Sequence, residues 1–108
     1  MKKEEMTNDT ISVIQLTTQT QQFYHQAFMY IKQDNYHQAQ YCLDNGNKLL
    51  LKAHQIHAKL LNQECELDLL LVHAEDMLMS LQLYKSMMKE FIDLYKTFPT
   101  LRGNKQSL

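Results

Sequence analysis

Leu69-Leu70-Leu71-Val72-His73-Ala74-Glu75-Asp76-Met77-Leu78-Met79 is the most apolar stretch of the chain, and His73 and Asp76 stand three residues apart inside it. On a helix, positions i and i+3 project from one face. The spacing therefore holds an imidazole and a carboxylate together in a surface that is otherwise hydrocarbon. Polar groups in such a place are costly unless they are paired. The bland reading is a core histidine bonded to a neighbouring carboxylate. The functional reading is a reactive ring and a ligand.

Outward from that stretch, the chain reads as helix throughout. Among its 108 residues Gly is 2, Pro is 1 and Trp is 0, while Leu, Lys, Gln and Met are abundant. Few breakers and many straight-chain side chains point to a single all-α domain with a modest core. Asp9 or Thr10 can cap a first helix running to about Lys32. Its apolar positions Val13, Leu16, Phe23, Ala27 and Tyr30 follow a three-four spacing, with Thr20 as the polar member. The threonine- and glutamine-rich run Thr17 to Gln22 makes this helix weak on propensity, so packing must hold it.

Asp34-Asn35 is the first break; Asn35 followed three residues later by Gln38 fits a capping box, with Asp34 as the alternative cap. The second helix runs to about Glu64. Two inner columns at seven-residue spacing mark it: Tyr36, Leu43, Leu50 and His57, then Ala39, Gly46, Ala53 and Leu60. The second column is mostly small, which lets another helix approach closely. The link from Gln63 to Glu66 is short, and Glu66 and Asp68 favour a helix start through the dipole. The third helix runs to about Phe98, where Pro99 stops it. Its columns are Leu67, Ala74, Leu81, Met88 and Tyr95, then Leu70, Met77, Tyr84, Phe91 and Phe98. Residues 1–9 and 99–108 are polar and expected to be mobile, leaving 10–98 as one antiparallel three-helix bundle.

The first half of the third helix is apolar nearly all round, since Leu69, Leu71, Val72, Leu78 and Met79 exceed any single stripe. A helix of that kind should be buried on every side. The simplest resolution is a homo-oligomer in which copies of this helix meet around an axis. Copies of Asp76 would then converge, and like charges at close range either protonate or bind a cation. Oxygen ligation suits Mg²⁺ or Ca²⁺.

The remaining chemistry is narrow. A net charge of −1 gives no footprint for nucleic acid or anionic lipid. Cys42 and Cys65 form no disulfide framework or metal spacing, and the longest uninterrupted apolar run is far short of a membrane span. No apolar leader follows the charged start, so a cytoplasmic protein is expected. No phosphate-binding glycine loop or nucleophile triad is present. His54 and His57 make an H-x-x-H pair, which supplies two metal ligands where a zinc site needs three or four. His57 also falls in an inward column, which argues for packing or hydrogen bonding. A neutral imidazole such as His73 can act as a nucleophile near neutral pH.

Leu70-Leu71-Val72-His73-Ala74-Glu75-Asp76-Met77-Leu78-Met79 resembles the L-L-V-H-A-Q-D-H-L-M signature of enzyme IIA of the lactose/cellobiose branch of the sugar phosphotransferase system. Ala39, Leu43, Leu50, Ala53-His54 and Lys59-Leu60 track that family's second helix, with its A-H-x-x-Q-T-x-L pattern, and Leu94-Tyr95-Lys96 its last. The resemblance spans roughly residues 10–97. It implies a homotrimer of three-helix subunits in which His73 accepts a phosphoryl group from the phosphocarrier HPr and passes it to a cysteine of a IIB component. It also implies that Asp76 meets its symmetry mates around one Mg²⁺ per trimer. The chain departs from the pattern at four places: Glu75 replaces Gln, Met77 replaces a second His, His57-Ala58 replaces Gln-Thr, and the second link is short. Glu75 opposes an incoming phosphoryl group unless it is protonated, paired or turned away. The competing readings are a regulatory helical module that kept the scaffold without the transfer, and a metal-binding bundle using His54 and His57, with His73 as an optional third ligand.

Overall fold

The computed structural model describes residues 3–62, 68–98 and 101. Three helices account for nearly all of them: α1 (Lys3–Lys32), α2 (Tyr36–Leu61) and α3 (Leu69–Thr97). They run up, down and up, so α1 and α3 are parallel. Thr17 meets Met77, Tyr24 meets Tyr84 and Phe28 meets Phe91 in the same order along both helices. The pair α1–α2 packs most closely, and α3 lies mainly on α1.

The breaks follow the capping chemistry. The Asn35 side chain accepts a hydrogen bond from the Gln38 backbone N–H at 3.2 Å, and Asp68 Oδ1 accepts one from Leu71 N–H at 2.8 Å. Each satisfies a donor that the first helical turn would otherwise leave orphaned. Asp34 turns the chain between α1 and α2 with a positive φ of 60°. The end of α3 falls at Thr97, one residue short of the expected Phe98. The link at 63–67 and the tail expected at 99–108 lie outside the described residues, Leu101 excepted.

Two expectations are corrected. The first helix begins by Lys3 rather than at Asp9 or Thr10. Asp9 is an ion-pair partner of Lys59 at 3.2 Å, and the Thr10 hydroxyl donates back to the Met6 carbonyl at 2.8 Å. Both residues are therefore inside the helix and neither caps it.

The buried face of α1 also differs. It is Thr10, Val13, Thr17, Thr20, Tyr24, Ala27 and Ile31, a strict alternation of threes and fours. Phe23 and Tyr30 flank it and are half-buried. Thr17 and Thr20 are fully buried because their hydroxyls donate at 2.8 Å to the Ile14 and Leu16 carbonyls, leaving a methyl to pack.

The small inner column of α2 holds in full, while the other holds at Leu43 and Leu50 and is half-buried at its ends, Tyr36 and His57. Ala39, Leu43, Gly46, Leu50, Ala53 and Leu60 are all buried. Gly46 faces Tyr24, and a Cβ there would lie 2.6 Å from its ring. The Tyr24 hydroxyl donates to Asn47 Oδ1 at 2.6 Å, anchoring the ring between the helices. Burial pushes the Tyr24 phenol well above its ordinary pKa.

Candidate functional site

Once Asp68 fixes the start of α3, its inward residues are Leu71, Ala74, Leu78 and Leu81, again spaced three, four and three. The residues between them turn outward. Leu69 is 84 % exposed and Met79 is 70 % exposed. The all-round burial expected of this half is therefore absent within one subunit. The outward line continues down the helix through Leu83, Met87 and Leu94, all exposed.

His73 and Asp76 belong to this outward side, and both are exposed. Neither makes a hydrogen bond or ion pair with a described residue. This rules out the core histidine tied to its neighbouring carboxylate. Their helical positions differ in a useful way. At about 100° per residue, Asp76 sits at the centre of the line Leu69, Leu83, Met87 and Leu94, and His73 sits on its edge toward α1.

On that edge lies a cleft of about 350 Å³, lined by Gln21, His73, Asp76, Met77, Ser80, Leu81 and Tyr84. Met77, which stands where the resembled pattern has a second histidine, directs its sulfur to the Thr17 hydroxyl at 3.6 Å. Tyr84 packs its ring against Tyr24 with centroids 5.5 Å apart, and burial raises its phenol pKa. Among the described residues no Lys or Arg lines the cleft, and Asp76 is its one carboxylate. Gln21 is the wall residue that sequence reasoning misses. It reaches this place only because α1 and α3 run parallel in one register.

The other departures resolve on the opposite flank. Glu75 is two residues, about 200° of helix, from His73, and its Oε1 lies 3.1 Å from His57 Nε2 on α2. It is both paired and turned away from the imidazole. His54, one turn earlier on α2, lies 3.3 Å from Gln82 Oε1. The H-x-x-H pair thus reaches two separate residues of α3. Among the described residues no three His, Cys, Asp or Glu side chains gather as a metal site would need. Asp76 contributes one carboxylate to this face.

The fold and site define a three-helix bundle that presents an imidazole, one turn from a carboxylate, neither with a partner among the described residues, on an exposed and largely apolar helix face. Residues 9–96 match the family described as PTS system, lactose/cellobiose specific IIA subunit, and the chain belongs to that family. It is a component of a sugar phosphotransferase system. A search of curated proteins finds no match. Among the described residues no helix is long and apolar enough to cross a membrane.

Proposed function

We propose that the protein is a phosphocarrier that receives a phosphoryl group on His73 from phospho-HPr and delivers it to a cysteine of a IIB component, in uptake of a lactose-, cellobiose- or chitobiose-type sugar. The observation that carries this reading is the exposed, unbonded imidazole of His73 on a cleft edge, in a chain of this family. A histidine kept for structure would be buried and hydrogen-bonded.

The chemistry asked of the site is small. The unprotonated ring nitrogen of His73 attacks phosphorus in line as the donor imidazole leaves. One nitrogen–phosphorus bond forms as another breaks, so the step is near thermoneutral and reversible. Its transition state is loose, which places the burden on positioning and electrostatics rather than on proton transfer. Water must be kept out while the group is exchanged. The exposed Leu69 and the half-buried Val72 and Met77 surround the ring with apolar surface that a docking partner can cover.

The reading extends to assembly as a homotrimer. The exposed apolar line on α3 is the kind of continuous patch that marks an association surface, and a threefold axis along it brings three Asp76 carboxylates together. Such a cluster fits one Mg²⁺, which would be held by oxygen ligands and would neutralise the acids.

The test is direct. The protein is incubated with phosphoenolpyruvate, enzyme I and HPr, and its intact mass is followed. An acid-labile, base-stable phosphoryl adduct is expected, lost in His73→Ala while the assembly size stays the same. Failure of the wild-type chain to label with a cognate HPr would refute the carrier reading and favour a regulatory module.

A further inference from the structure

The H-x-x-H pair of α2 has no part in the transfer chemistry, yet it is built into the fold beside it. The His57 side chain is 16 % exposed, sits in the inward column of α2, and meets a Glu75 side chain that is 36 % exposed. Bonding to a carboxylate makes Nε2–H the donor at this 3.1 Å contact. These two residues stand at the positions where the resembled pattern carries glutamines, so two departures from it are in contact with each other.

A glutamate in this turn has a consequence that a glutamine lacks. It brings a full negative charge to within roughly 10 Å, one helix diameter, of the ring that must receive a doubly charged group. Glu75 is a long side chain on the edge of the exposed face, next in sequence to Asp76. Released from α2, it would swing toward Val72 and Met79, which are its i−3 and i+4 neighbours. That motion brings its charge onto the face where a phosphorylated donor docks.

We propose that His57 is a positioning residue for phosphoryl transfer, holding the Glu75 carboxylate against α2 and so keeping its charge off the receiving face. The inference rests on His73 being the acceptor. The neighbouring His54–Gln82 contact at 3.3 Å fixes the same two helices about two turns further along α3 and keeps the pairing in register. The arrangement leaves Glu75 harmless without requiring it to be neutral.

Sign epistasis tests this. The rate of His73 labelling by phospho-HPr is measured by intact mass for the wild type, His57→Ala, His57→Gln, Glu75→Gln and the double variant His57→Ala/Glu75→Gln. Bringing the carboxylate from about 10 Å to about 5 Å of a doubly charged group in water implies that His57→Ala labels roughly fourfold more slowly. His57→Gln should stay within about twofold, because its amide N–H still donates to Glu75. The double variant should return to the wild-type rate or exceed it, since no charge is left to hold. A latch that only stabilises the fold would not be restored by losing its second half. Wild-type speed in His57→Ala, or a double variant as slow as the single, would overturn the inference while leaving His73 as acceptor. An unlabelled wild type would instead overturn the acceptor reading and this inference with it. If His57→Ala loses its helical circular dichroism, His57→Leu fills the same space without a donor and should show the same slowing and rescue.

Discussion

Gly46→Ala isolates the contact that sets the spacing of α1 and α2. In an open helix position the change would stabilise by about 1 kcal/mol, because glycine is a poor helix former. Here the new methyl would sit 2.6 and 2.8 Å from two ring carbons of Tyr24 and 3.3 Å from Phe23 Cβ. The ring cannot step aside cheaply. It is fully buried, its hydroxyl is held by Asn47 at 2.6 Å, and its other side meets Tyr84. Overpacking of this kind costs about 3 kcal/mol at the upper end of its usual range. The balance is a loss of about 2 kcal/mol, or roughly 8–16 °C in Tm for a domain of this size. Urea unfolding followed by helical circular dichroism at a fixed protein concentration measures it, since any assembly makes stability concentration-dependent. The Tyr24→Leu background supplies the control. With the ring gone, Gly46→Ala should become neutral or stabilising by up to about 1 kcal/mol. If Gly46→Ala raises the stability of the wild-type chain, the close packing of these helices is wrong.

Thr20→Val should stabilise by up to about 1 kcal/mol, since the hydroxyl only returns a bond to its own helix at Leu16 and a methyl would pack in its place; a loss in the same urea assay would mean that the hydroxyl has a further role. Alkaline titration should show the Tyr24 phenol ionising late, with Tyr84 also raised by burial. Burial raises the pKa of Tyr24 in the folded chain above the ordinary 10.0, so above that pH the unfolded state binds fewer protons and stability falls. Phenolate absorbance for Tyr24 should therefore appear together with loss of helix, and early ionisation of all six tyrosines in a folded chain would contradict its burial. Asp76→Leu should assemble as a trimer whether or not a chelator is present, because packed apolar groups replace a buried charge cluster at little or no cost. Light scattering that finds the wild type indifferent to chelator and Asp76→Leu dissociated would remove the axial cation.

Much of the fold is legible in the sequence because single residues mark its ends. Asn35 caps α2 by the expected bond, Asp68, expected to favour a helix start through the dipole, caps α3 by its side chain, and the small column Ala39, Gly46 and Ala53 is buried as its spacing requires. The face of α1 is harder to read. Threonine counts as polar in a pattern, yet Thr17 and Thr20 bury completely by satisfying their hydroxyls locally. Weight given to Phe23 and Tyr30 then shifts the expected stripe by about one residue from Tyr24 and Ile31. At the site, His73 and Asp76 are found from their spacing, and His57 is marked as a polar substitute in an inward column. Gln21 is not marked by any pattern. Its place depends on the parallel register of two helices that are distant in sequence.

Charge ties the assembly to the chemistry. Among the described residues the cleft edge holds Asp76 and no Lys or Arg, while a phosphoryl group brings up to two negative charges to a ring one turn away. Within a single chain the transfer would therefore work against Asp76, and more strongly than against Glu75, which faces the other flank and is held by His57. In the proposed trimer a divalent cation would leave the three Asp76 carboxylates with one net negative charge instead of three, no more than a lone Asp76 presents. Replacing Asp76 with leucine removes acids and cation together, so the field at His73 changes little. Labelling of His73 should then survive in Asp76→Leu as long as the trimer does. An Asp76→Asn chain is the sharper case. It keeps a polar side chain at the axis but loses the charge that holds the cation, so it should lose assembly before it loses reactivity of the ring toward phospho-HPr.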